Sequence, residues 1–116
     1  MRHRVKGKKL DRKKAPREAM LKNLASSIII YEKVKTTEAK AKAVKPLLEK
    51  VITTAIKGDL ASRRELIKIL PQKMAIKKVM EILAVRYKAR HGGYSRIVKL
   101  GKRIGDNASV VQIELV

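Results

Sequence analysis

The sequence predicts a two-layer α+β domain, with about four helices packed on a small mixed sheet of about three strands and a basic arm over residues 1–14 in front. Three features of the chain point to it. Apolar residues recur at helical spacing between Met20 and Leu83. Beyond Gly92-Gly93 the pattern turns β-branched and alternating. Charge is crowded at the start. The 116 residues carry 30 Lys plus Arg against 10 Asp plus Glu, a net charge of +20, and nine of those bases fall within residues 1–17 beside a single acid, Asp11.

The arm comes first. Its only apolar side chains before Ala15 are Met1, Val5 and Leu10. That is too little surface to offset the entropy of ordering it, so it is expected to be mobile alone and to order on a charged partner. Residues 15–116 are expected to form one globular domain, because no repeat or low-complexity linker divides them.

The helices follow. Pro16 suits the first position of a helix, where a missing N–H costs nothing, and Glu18 favours its first turn. Met20, Leu24, Ile28 and Tyr31 share one face, and Ile28-Ile29-Ile30 then shifts toward strand residues. A short strand is expected over 32–36, with Val34 between Lys33 and Lys35. Thr36-Thr37-Glu38 signals the next helix start. Ala41, Val44, Leu48, Val51, Ile52 and Ala55 give it the cleanest amphipathic stripe in the chain, with Pro46 expected to kink or break it. Gly58 stops it and Asp59 caps a third helix with Leu60, Leu66, Ile67 and Leu70 inward and Arg63 and Arg64 outward. Pro71 ends it and can open a fourth, whose core face is Met74, Ile76, Val79, Met80 and Leu83, with Lys73, Lys77 and Lys78 exposed. Residues 94–100 read as a strand, Gly101 and Gly105-Asp106-Asn107 as turns, and Val111, Ile113 and Leu115 as the buried face of a last strand.

Composition removes several functions. With no Cys there is no disulfide scaffold, thiolate zinc site or Cys nucleophile. Two His, at 3 and 91, make no His-rich metal site. No apolar run approaches the roughly 20 residues of a membrane span, and no apolar stretch follows the first charges as in a signal peptide. No cofactor, metal or small-molecule substrate is expected. A chain this basic repels itself, so a polyanionic partner is the expected counterpart. A DNA-compacting protein would want a recognition helix or a dimerising coiled coil, and a membrane-surface protein would want interfacial aromatics; the chain has three Tyr, no Phe and no Trp.

Three blocks of residues resemble the bacterial large-subunit ribosomal protein seventeen family. The first is Met1-Arg2-His3-Arg4, Gly7, Leu10, Arg12, and Arg17-Glu18-Ala19-Met20 with Asn23. The second is Thr36-Thr37, Lys40-Ala41-Lys42 and Leu48…Ile52-Thr53. The third is the most specific: Gly92-Gly93-Tyr94-Ser95-Arg96-Ile97, Lys99, Arg103, Gly105-Asp106-Asn107-Ala108 and Ile113-Glu114-Leu115. Ser95 stands where the family commonly has Thr, and Ser109 where Pro is common. The resemblance implies a two-layer fold without catalytic activity. It implies a structural component of the large subunit that binds large-subunit ribosomal RNA near the nascent-chain tunnel exit, beside neighbouring large-subunit proteins, in the bacterial cytoplasm.

The candidate RNA-binding residues fall in two groups. In and just beyond the arm, Arg2, Arg4, Lys6, Lys8, Lys9, Arg12, Lys13, Lys14 and Arg17 neutralise phosphates, Gly7 lets the backbone pass closely, and His3 donates to phosphate or stacks on a base. In the second group Gly92 and Gly93 offer backbone N–H groups, Tyr94 stacks on an unpaired base, and Arg96 pairs with phosphate. The alternative for this loop is a plain tight turn with Tyr94 in the core. Arg90 and His91 precede the loop and extend the same surface, and Lys99 and Arg103 follow it in the hairpin.

Overall fold

The computed structural model describes residues 14–116; the candidates from Arg2 to Lys13 lie outside the described residues. Four helices pack on one three-stranded sheet in the order α1 (Lys14–Tyr31), β1 (Lys33–Thr37), α2 (Glu38–Lys57), α3 (Leu60–Ile69), α4, β2 (Ser95–Lys102) and β3 (Ser109–Leu115). Helix α4 is composite: it runs as α-helix over Lys73–Lys78, as a π turn over Val79–Leu83 and as α-helix again over Ala84–Arg86.

Helix α1 begins two residues before Pro16, whose missing N–H still falls among the four donors a helix start leaves unpaired. Its buried stripe is Ala25, Ile28 and Ile29, with Leu21, Leu24 and Ile30 partly covered. The three isoleucines stay helical because two of them fill the core. Tyr31, expected inside, is 71% exposed. Glu32 then takes a left-handed conformation (φ 65°), and its N–H caps the helix on the Ile28 carbonyl at 2.7 Å.

Thr37 caps α2, its hydroxyl accepting the Lys40 N–H at 3.4 Å. All six residues of the α2 stripe are fully buried. Pro46 does not break the helix; it sits exposed within a continuous 20-residue element, where the one hydrogen bond it removes faces water. Gly58 closes α2 with φ 70°, and Asp59 caps α3 by accepting the Ser62 N–H at 2.7 Å. Helix α3 buries Leu66 and Leu70 but leaves Leu60 and Ile67 outside, a narrower stripe than expected. In α4, Ile76, Val79 and Leu83 are buried, Met80 is half-buried and Met74 is exposed. Pro71 lies in the connection rather than opening α4. Lys78, expected on the solvent face, is largely covered. Its ammonium donates to the Ile30 carbonyl at 2.8 Å and pairs with Glu32 at 2.9 Å.

The sheet order is β1-β3-β2, antiparallel throughout rather than mixed. A mixed sheet would have needed β1 beside β2, which run the same way; β3 lies between them. Gly101 is not a turn residue but follows a bulge that lets β2 run on to Lys102. Helix α2 is the hub, packing on all three strands and on each of the other helices. Val111 and Ile113 of β3 face it fully buried.

Candidate nucleic-acid interface

The loop entering β2 is built around a carboxylate that the sequence reading passed over. Glu49 of α2 accepts hydrogen bonds from the Tyr94 N–H at 3.1 Å, the Ser95 N–H at 3.2 Å and the Ser95 hydroxyl at 2.8 Å. These three bonds hold the start of β2 against the middle of α2. The hydroxyl that Ser95 retains thus spends its one donor on Glu49. Gly92 and Gly93 carry φ of 109° and 66°, values that side chains rarely adopt, and open space surrounds both.

Tyr94 is only 2% exposed. Its ring packs against Tyr87 with centroids 5.3 Å apart, and its hydroxyl donates to the Arg90 carbonyl at 3.2 Å. A ring without an open face cannot stack on a base, so the tight-turn alternative describes Tyr94. Tyr87 is buried as well, its hydroxyl donating to the backbone oxygen of Val116 at 2.7 Å. The exposed aromatic ring among the described residues is Tyr31, the reverse of the roles expected for Tyr31 and Tyr94.

Arg96 lies on the outer face of the sheet, its side chain 63% exposed with Nε donating to Glu114 at 2.9 Å. Register places Lys33, Glu114 and Arg96 in one row across the sheet, and Lys35, Gln112 and Val98 in the next. Lys33 and Lys35 therefore join Arg96 on a basic face that no helix among the described residues covers; only strand pairing shows this, because β1 and β2 are far apart in sequence. Lys99 points to the other face, near Glu38, whose carboxyl is lowered chiefly by its bond with Lys42 and further by Lys99. Arg103 sits in the hairpin turn and forks onto Asp106, with Nε to Oδ1 at 3.0 Å. That bond, then the Ala108 N–H at 3.1 Å, holds the Asp106 carboxyl at about 2. Arg96 and Arg103 are roughly 20 Å apart along an extended strand, so the hairpin candidates belong to opposite ends of the sheet.

Arg90 is exposed directly after α4, where its N–H donates to the Tyr87 carbonyl at 2.9 Å. Lys14 is exposed at the first position of α1, and Arg17 is half-buried one turn on. Among the described residues no group of three His, Cys, Asp or Glu is arranged to hold a metal ion, and no helix is long and apolar enough to cross a membrane.

Comparison with known proteins covers the whole chain. The protein named large ribosomal subunit protein bL17 from Hydrogenobaculum sp. (strain Y04AAS1) is 49% identical over 117 residues, covering 100% of this chain and 99% of that one. The bL17 proteins of Rickettsia typhi and Syntrophotalea carbinolica are 47% and 44% identical over 116 residues, covering all of this chain and 85% and 75% of theirs. Residues 20–116 match the family described as Ribosomal protein L17, and with these full-length identities the chain belongs to that family.

Proposed function

We propose that this chain is a non-catalytic structural constituent of the large ribosomal subunit that binds large-subunit ribosomal RNA, beside other subunit proteins and near the nascent-chain tunnel exit. The basic arm, residues 1–14, and the loop from Arg90 to Arg96 are the contacts assigned to that RNA. The carrying observation is family membership along the whole length, joined to a surface where bases far outnumber the carboxylates available to pair with them. Folded RNA brings phosphates close together, and Lys and Arg that neutralise them release counterions, which makes binding steeply salt-dependent. Arg96 is the cation of the loop to weigh most: its bond to Glu114 fixes the guanidinium on the open sheet face and leaves part of its fork exposed.

The test is assembly. Full-length chain is expected to co-sediment with the large subunit through a high-salt wash. A chain lacking residues 1–13, which leaves α1 whole, is expected to fold but to incorporate poorly. Wild-type incorporation by that truncation would remove the arm's role; absence of the intact chain from the particle would sink the whole reading.

A further inference from the structure

Tyr94 does not face outward, yet it contributes to the wall of a cleft of about 350 Å³ between the C-terminal part of α2 and the segment after α4. Thr53 and Lys57 come from α2, and Lys88, Arg90 and His91 from the opposite side. Among the described residues no carboxylate lines it. The ion pairs among the described residues engage Lys42, Lys78, Arg86, Arg96 and Arg103, none of which belongs to the cleft. Glu49 reaches the lining residue Tyr94, but its carboxylate is spent on the Tyr94 and Ser95 N–H groups and the Ser95 hydroxyl. Asp59, whose carboxyl feels Lys57 through space, is committed to capping α3 at Ser62. The α2 C-terminus adds about half a negative charge, well below the three formal positive charges of Lys57, Lys88 and Arg90.

We propose that this cleft is a phosphate pocket, taking one backbone phosphate of a single-stranded stretch of RNA with its nucleoside at the mouth. The proposal rests on the RNA-binding reading above and assigns new residues to it. The volume sits near the lower end of ligand clefts, about 300–1,000 Å³, enough for one nucleotide and too small for a duplex. Lys57 and Lys88 supply point charges from opposite walls, and Arg90 supplies a planar fork that matches phosphate oxygens. His91 offers a ring N–H. Tyr94 is a positioning residue: its hydroxyl holds the Arg90 carbonyl at 3.2 Å and receives the Thr53 hydroxyl at 3.4 Å, which ties the Arg90 segment to α2. The burial of Tyr94 thus serves the interface indirectly, by fixing the spacing between the two cationic walls.

The full chain is titrated with a large-subunit RNA fragment at several salt concentrations, and separately with inorganic phosphate and a nucleoside monophosphate while backbone amide resonances are followed. The triple variant Lys57→Gln, Lys88→Gln, Arg90→Gln is expected to melt no lower than the wild type, to bind RNA at least tenfold more weakly and to lose about one unit of salt slope. Tyr94→Phe is expected to weaken RNA binding several-fold with the slope unchanged, since no cation is lost. The amides of residues 57, 88, 90 and 91 are expected to shift with phosphate in the wild type and not in the triple variant. Wild-type RNA affinity and slope in a folded triple variant overturn the pocket while leaving the RNA reading intact. Saturable phosphate shifts in a chain that binds no RNA overturn the RNA source and assign the pocket to free phosphate or nucleotide.

Discussion

Two carboxylates hold the parts of the molecule that bear on its surface. Glu49 accepts two backbone N–H groups and a hydroxyl, and bonds to a charged acceptor are worth about 1.5–3 kcal/mol each. Glu49→Gln turns one acceptor into a donor facing an N–H. It is expected to destabilise the fold by about 1–3 kcal/mol and to speed hydrogen exchange at Tyr94 and Ser95; unchanged protection there would show that the loop is held by something else. Glu32 is gripped by the Arg86 guanidinium and the Lys78 ammonium, and these, Arg86 foremost, lower its carboxyl from 4.5 to about 2. A depressed carboxyl contributes stability in full above 4.5 and loses it as pH falls toward 2. Over a third of the side chain is exposed, so water screens the pair and Glu32→Gln should cost only about 1 kcal/mol at neutral pH. An acid denaturation series should then show a shallower loss between pH 4.5 and 2 in the variant; parallel curves would contradict the assignment.

At the scale of elements, the clearest case for testing is α2. Pro46 removes one backbone donor from an otherwise regular helix, a defect of about 3 kcal/mol, but its rigidity also restricts the unfolded chain by about 0.4–1 kcal/mol. Pro46→Ala is therefore expected to stabilise by about 2 kcal/mol, read as a higher denaturant midpoint; a lower midpoint would give the proline a packing role. The same helix shows why much of the fold is legible in sequence. Six apolar residues at regular spacing, a Thr-Thr-Glu start and a Gly-Asp stop all agree, and each lies where expected. In α1 the expected Met20–Tyr31 face holds at Leu24 and Ile28 and fails at Tyr31, because the stripe centres on Ala25 and Ile29 and Tyr31 falls at its flank where the chain turns away. Glu49 left one trace, an acid beside Leu48 on the inner edge of a lysine-rich helix. The alignment of Lys33, Lys35 and Arg96 left none, because strand pairing across 60 residues has no local signature.

For the whole molecule, charge and fold oppose each other. A net charge of +20 on 116 residues repels itself more than the few surface ion pairs attract. Adding sodium chloride from about 0.01 to 0.15 M shortens the screening length from about 30 to 8 Å, so the isolated chain should melt at a higher temperature in the saltier buffer. A falling melting temperature would mean that ion pairs outweigh repulsion. Holding such a molecule together depends on where its few acids sit, and the π turn of α4 bears on one of them. In a regular helix Lys78 and Arg86, eight residues apart, differ by about 80° around the axis. The π turn takes up one surplus residue, which brings the two cations to within about 20° of each other and lets both close on Glu32. The turn works as a vernier between layers: α4 carries one amino acid more than its length requires, and that surplus sets the phase at which the helical layer meets the junction of α1 with the sheet. Deleting a single residue from Val79–Leu83 would leave a regular helix with the two cations seven residues apart and still within about 20° of each other, whereas straightening the turn with every residue kept would put them about 80° out of step.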